Sequence, residues 1–244
     1  MKIPFYITSL NRRHDRKSNL LESIKPYTEL VEFNIEQWGP DSKDITNELL
    51  NDMDIKPYPN WKIDSDNMWW NRDLKLGEVG CAISHLRMWQ DAYDKGHPVA
   101  IFGEDDIMFS DDWLLKFKLT TDRLDCLNVE WDLLYLGRAL QHGQEDIPYD
   151  KELVHPAFSY CTHAYALSRN GIRKILNMKY KDNIIPSDEF LTCMYTSHPR
   201  EDIREIFNNN SFVALAYKDS ECLITQIPKD VSGSDTEESD YATP

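Results

Sequence analysis

The chain has 244 residues, of which 41% are hydrophobic and 28% charged. That is enough to bury the core of one large α/β domain or two small ones, and too apolar for a disordered chain. Lys plus Arg number 27 against 42 Asp plus Glu, a net charge of −15, which excludes a general nucleic-acid binder and docking on anionic membranes but suits divalent cations or a basic partner.

Taken in chain order, Pro4–Leu10 is an apolar run of strand length, followed by the polar cluster NRRHDRK and an amphipathic stretch to Ile24 that Pro26 closes. This predicts strand, turn and helix. Leu30–Ile35 alternates as a second strand, and Glu36–Arg72 reads as short helices and a long connection. Val79, Ile83, Leu86, Trp89 and Tyr93 recur at three- and four-residue steps, so Gly77–Gly96 is a helix stopped by Gly96 and Pro98. PVAIF is a strand running into GEDDIMF, helical spacing resumes over Trp113–Cys126, and WDLLYLG is a buried strand ended by Gly137. AYALS is a further strand, NGIRKILNMKY a helix, and PSDEFLTCMY a helix with a Pro/Ser start. Strands alternating with helices predict a mostly parallel sheet covered on both faces. The expected organisation is one domain over residues 1–228, with an acidic tail over 229–244 that is mobile or draped over the surface.

No apolar run approaches the ~20 residues that cross a bilayer. The opening residues lack the apolar core of a secretory leader, and no ER-retention tetrapeptide ends the chain. Cytoplasmic location is the resulting expectation. The five cysteines, Cys81, Cys126, Cys161, Cys193 and Cys222, are odd in number and lack CxxC spacing. They read as free core thiols rather than a disulfide framework or a zinc site.

Three groups of residues can carry chemistry. Glu104, Asp105 and Asp106 follow a strand directly, where open α/β sheets bind ligands. Three adjacent carboxylates repel one another unless a cation neutralises them, and hard oxygen donors suit Mg²⁺ or Mn²⁺. The alternative is a solvated acidic turn or a helix N-cap at Asp106. Arg12, Arg13 and Arg16 follow the first strand, where guanidinium groups and a helix N-terminus can clasp phosphate; the alternative is plain surface charge. With no Walker A pattern and no GxGxxG, the two loops together suggest a nucleotide or nucleotide-sugar site. Asp188-Glu189 opens a helix, and a carboxylate there is either a general base or a residue favoured by the helix dipole. His85 and His163 fit structural hydrogen bonding, and Trp61, Trp69 and Trp70 either stack on a sugar or fill the core.

These residues also resemble glycosyltransferase family 25. Its I-N-L-(D/R)-R-R-x-D-R opening is similar to Thr8–Arg16, its G-E-(I/L)-G-C-x-L-S-H to Gly77–His85, and its E-D-D-x-x-F to Glu104–Phe109. Trp131–Arg138, Ser159–Ser168, Pro186–Leu191, His198-Pro199 and Ser234–Glu237 resemble its collagen-modifying branch. The resemblance implies a GT-A-like fold and transfer of a hexose, galactose or glucose, from a UDP-sugar with Mn²⁺ or Mg²⁺. It assigns Asp106 and Glu104 to the metal, and Asp105, Glu78 and Ser84 to the nucleotide-sugar. Arg12, Arg13 and Arg16 fall to the nucleotide or its phosphates. Inverting transfer needs a base for the acceptor hydroxyl, and that role goes to Asp188, with Glu189 second. The acceptor is a hydroxylysine of a collagen-like protein or a glycan. Two alternatives stand beside this: a polysaccharide or lipooligosaccharide glycosyltransferase, and a non-catalytic carbohydrate- or collagen-binding protein on the same scaffold. The family Asn is Ser9 here, and the tail stretch LITQIPKDVSG lacks the His of the collagen branch.

Overall fold

Alternation of side chains along the strands separates two cores in the computed structural model, which describes residues 2–207 and 211–242. The chain runs β1 (Ile3–Thr8), α1 (His14–Ile24), β2 (Val31–Glu36), α2 (Asn47–Asp52), α3 (Leu76–Asp94), β3 (Val99–Glu104), β4 (Ile107–Phe109) and α4 (Trp113–Cys126). It continues through β5 (Leu133–Leu140), β6 (Ile147–Pro148), β7 (Leu153–His155), β8 (Ser159–Ser168), α5 (Arg169–Asn177), α6 (Ser187–Cys193), α7 (Glu201–Ile206), β9 (Ala214–Tyr217), β10 (Ile224–Gln226) and α8 (Lys229–Ser232).

Eight strands form the central sheet in the order β2-β1-β3-β8-β5-β9-β7-β6, and β10 pairs with β4 in a separate two-stranded ribbon. Following the pairings from strand to strand, six of the eight run in one direction and only β7 and β8 oppose them. The sheet is therefore mostly parallel by direction and flanked by helices, as a GT-A-like fold requires.

One face carries Tyr6, Phe102, Tyr135, Tyr165 and Leu167, packed against Val79, Ile83, Met88 and Trp89 of α3 and against α5 and α6. The other carries their strand neighbours Phe5, Ile7, Ile101, Leu134 and Leu136, packed against Leu20 and Ile24 of α1 and Trp113 and Phe117 of α4. Each large side chain buried this way contributes about 1.5–3 kcal/mol. The two-residue period thus serves both cores at once. At the end of α3, Gly96 adopts φ +75°, a left-handed turn that a side chain would strain.

Beyond the short strands β4, β6, β7, β9 and β10, which the sequence does not signal, two expected strands have other bounds. The strand expected to end at Gly137 runs on to Leu140, with register shifts against β8 around Gly137. Gly137 does not end it, because its missing Cβ makes room for the Ile224 carbonyl of β10 and the His163 ring. The strand expected from Ala164 begins at Ser159, so His163 sits within it. Residues 229–242 lie against the body of the molecule. Leu76 N–H donates to the Asp240 carbonyl at 2.8 Å, Ala242 N–H to the Leu74 carbonyl at 2.6 Å, and Gly77 N–H to Ser239 Oγ at 2.9 Å. The last two residues of the tail, 243–244, lie outside the described residues. All five cysteines are free; Cys193 is buried, whereas Cys126, expected in the core, is exposed at the end of α4.

Candidate active site

The parallel register that pairs Thr8 of β1 with Glu104 of β3 brings two loops side by side at the carboxyl end of the sheet. One is the arginine loop before α1, the other the bend Asp105-Asp106 between β3 and β4. Asp106 caps no helix, since the next one starts at Trp113, and the bend is not solvated: Asp105 and Asp106 are both buried.

Each carboxylate has its own surroundings. Glu104 accepts from Thr162 Oγ1 at 2.6 Å, and its Oε1 lies 3.9 Å from His85 Nε2. Burial alone would raise Glu104, but His85, Thr162 and the nearby His163 hold it below its usual value. Arg16 Nη1 lies 3.2 Å from both Asp105 Oδ1 and Asp106 Oδ2. Asp105 is still raised, by burial first. Asp106 is pushed up to about 7, by burial and then by the charge of Glu104. Gln226 Nε2 on β10 donates to Asp106 Oδ2 at 3.2 Å, while Oδ1 is buried with no partner. One guanidinium thus serves a turn of three carboxylates. The orphaned oxygen and the raised Asp106 are the chemistry a hard divalent cation would relieve, so the residues fit Mn²⁺ or Mg²⁺.

The three arginines meet a carboxylate of the chain itself. Asp235 takes Arg12 Nη2 at 2.7 Å, Arg13 Nη1 at 2.5 Å and Arg16 Nη1 at 3.6 Å. Arg12 also binds Asp41 and Arg13 also binds Asp15, while Arg16 Nη2 donates to the Gly233 carbonyl at 2.7 Å. An anion sits where the arginine cluster predicts one, supplied by the tail.

Asp188 lies in the first turn of α6. Its Oδ2 accepts from the Cys161 N–H at 3.1 Å and its Oδ1 from the Glu189 N–H at 2.9 Å. Burial and the Glu189 charge nevertheless push it up to about 7. Glu189 is buried with both oxygens occupied: Oε1 accepts from Trp70 Nε1 at 3.0 Å and Oε2 pairs with His198 Nε2 at 2.5 Å. Two committed partners suit a positioning residue more than a base. Glu78 is likewise engaged. Arg72 grips both its oxygens and the Lys75 N–H donates to Oε2 at 2.8 Å, a helix-start contact of α3. Ser84 Oγ donates to the Gly80 carbonyl at 2.8 Å, one turn back in α3.

A cavity of about 330 Å³ brings together Arg16, Glu78, Glu104, Asp106, Asp188 and Glu189. Asp105 and Ser84 line a smaller neighbouring cavity of about 80 Å³, and Arg12 and Arg13 line neither. Trp61 and Trp70 are core, whereas Trp69 stays 37% exposed at the larger cavity with Arg72 over its ring. Sequence reading missed Gln226 and Lys229 on the wall, and Thr162 beneath Glu104. Thr162 stands next to a singled-out His163, but β10 is three residues long and carries no periodic signal.

Comparison with known proteins points one way. The family model of glycosyltransferase family 25 (LPS biosynthesis protein) matches residues 2–191. Procollagen galactosyltransferase 2 of Homo sapiens is 27% identical over 214 residues, 86% of this chain and 33% of that protein. Procollagen galactosyltransferase 1-B of Xenopus laevis is 28% identical over 214 residues, 86% and 34% respectively. A Rattus norvegicus relative named probable inactive glycosyltransferase 25 family member 3 is 30% identical over 207 residues, 83% and 34%. The match covers about a third of the length of each of these relatives. With a family match over most of its length, the chain belongs to glycosyltransferase family 25.

Proposed function

We propose that the protein transfers a hexose, galactose or glucose, from a UDP-sugar to an acceptor hydroxyl, with a divalent cation, Mn²⁺ or Mg²⁺, and inversion at the sugar carbon. The observation that carries the reading is the buried acidic turn. Glu104 and Asp106 line the same cavity as a second raised carboxyl, Asp188, and Asp106 has an oxygen with no partner. Glu104 and Asp106 would hold the cation, which supplies charge neutralisation of the departing diphosphate. Arg16, already beside Asp105 and Asp106, adds a fixed positive charge on that side, and Arg12 and Arg13 belong to the same anion clasp. Asp188 takes the acceptor proton, oriented by the Cys161 and Glu189 amides. The net charge of −15 suits a basic acceptor such as a Lys-rich, hydroxylysine-bearing collagen-like strand, and a glycan acceptor is the other possibility.

A screen of UDP-sugars for donor hydrolysis and transfer, with and without Mn²⁺, tests this. Hydrolysis of one donor that EDTA abolishes is expected, and full activity in EDTA overturns it. Two observations favour a second reading, a sugar- or collagen-binding protein without catalysis. Relatives at about 30% identity are named inactive, and Gln226 stands beside Asp106 in a stretch without a His. Under that reading UDP binds and no donor is consumed.

A further inference from the structure

Residues four apart on a helix present their side chains on one face, and α3 presents Cys81 and His85 in this way beside the end of β3. Cys81 Sγ, a ring nitrogen of His85 and a carboxylate oxygen of Glu104 all lie within 4.8 Å of one another. His85 is fully buried, yet its Nε2 has no hydrogen-bond partner and stands 3.9 Å from Glu104 Oε1. Its Nδ1 lies 2.7 Å from the Tyr165 hydroxyl, which also accepts from Trp89 Nε1 at 2.9 Å. Binding an ion at Nε2 requires the tautomer in which Nδ1–H donates to that oxygen, so that the Nε2–H now directed at Glu104 gives way to a lone pair facing Glu104 and Cys81. One ring nitrogen anchored and the other free is the arrangement that orients a ligating imidazole. Ser187 Oγ donates to Cys81 Sγ at 3.8 Å; burial first and then the Glu104 charge still raise the thiol, so the cation must displace its proton.

We propose that Cys81, His85 and Glu104 form a three-donor site for a borderline-soft divalent cation of the zinc class. The donor set of sulfur, nitrogen and one oxygen separates it from the oxygen donors of the acidic turn, which suit Mn²⁺ or Mg²⁺. Three protein ligands leave the fourth tetrahedral position open, and Cys81 and Glu104 both line the large cavity from which a water would enter. Bond lengths of about 2.0–2.3 Å require the donors to close by about an ångström. The Cys81 S–H proton leaves to solvent as the metal–sulfur bond forms. Cysteine spacing gives no hint of the site because only one of its ligands is a cysteine. Glu104 is shared, so an ion here draws it away from Asp106. This antagonism rests on the transferase reading above; binding of the ion does not.

Titration of the full chain with Co²⁺ tests the site, since a cobalt–thiolate bond gives a charge-transfer band in the near ultraviolet. The expected result is a band that saturates at one equivalent and is bleached by Zn²⁺. It is lost in Cys81→Ser and retained in Asp106→Asn and in Cys126→Ser, which removes the exposed thiol. His85→Gln weakens Co²⁺ at least tenfold. A measurement that needs no variant is alkylation of the parent protein by iodoacetamide, where Zn²⁺ should protect Cys81 as read by peptide mass spectrometry. Absence of the band in the parent, its survival in Cys81→Ser, its loss in Asp106→Asn, or unprotected Cys81 at saturating Zn²⁺ overturns the proposal. For the antagonism, Zn²⁺ should raise the Mn²⁺ needed for half-maximal UDP binding. A Co²⁺ band without that effect leaves the soft site standing and removes the transferase reading's hold on Glu104.

Discussion

Replacing Asp106 by Asn should stabilise the metal-free protein, and do so more at alkaline than at acid pH. The carboxyl is raised from 3.8 to about 7 because it is buried beside Glu104 and Asp105. A group raised in the folded state binds its proton more tightly there than in the unfolded chain. Its penalty is absent below about 3.8, grows as pH rises, and is complete above about 7. A shift of that size corresponds to about 4 kcal/mol of lost stability at pH 8 and under about 2 kcal/mol at pH 5. Asn is isosteric, carries no charge, and still offers an oxygen to Gln226 Nε2. Urea unfolding in EDTA at the two pH values measures the difference. The variant should be more stable by about 1–4 kcal/mol at pH 8, with the gap narrowing by about 2 kcal/mol at pH 5. Added Mn²⁺ should then stabilise the parent and leave the variant unmoved. A variant no more stable than the parent at pH 8, or an advantage independent of pH, would refute the idea that charge repulsion strains this turn.

Asp188, also held at about 7, must be ionised to accept a proton. Transfer by the parent should therefore rise with pH through about 7, while Asp188→Asn loses the rise and about a hundredfold or more in rate with UDP binding intact. A variant that transfers at the parent rate moves the base elsewhere. Arg16→Ala should weaken UDP by about 1.5–3 kcal/mol, roughly ten- to a hundredfold by calorimetry, and an unchanged affinity would take Arg16 out of the donor site. His198→Ala leaves Glu189 Oε2 without its partner in a buried setting, so denaturant unfolding should register a loss of about 3–5 kcal/mol; a loss under about 1 kcal/mol would mean that the pair is dispensable.

The elements legible from sequence are those whose pattern is long or sharply punctuated. The stripe from Val79 to Tyr93 reads as a helix face, and the apolar run before Glu104-Asp105-Asp106 as a strand, though whether its carboxylates form a site or a solvated turn stays open until the fold buries Asp105 and Asp106. β7, β9 and β10 have three or four residues of ordinary apolar character, and nothing local tells them from loops. The site divides in the same way. That Glu104, Asp106 and Asp188 share a cavity follows from motifs at strand and helix ends. That Glu189 is committed to Trp70 and His198 does not, since Trp70 lies 119 residues away. The engagement of Glu78 was closer to hand, because a Glu three residues into a helix commonly turns back to the preceding backbone amide.

The clasp between Arg13 and Asp235 joins positions 222 residues apart, and Gln226 reaches Asp106 across 120. Contacts of such separation must wait for the intervening chain to be ordered, because closing the longer loop gains nothing until both ends are in place. During synthesis the arginine loop and the acidic turn emerge before β10 and the residues after it. A nascent chain can pair β1 with β3 long before anything covers Asp106 or engages Asp235. The cavity is therefore completed after the pairing of β1 with β3, and in hydrogen exchange the amides of residues 229–242 should open at lower free energy than those of β3 and β8.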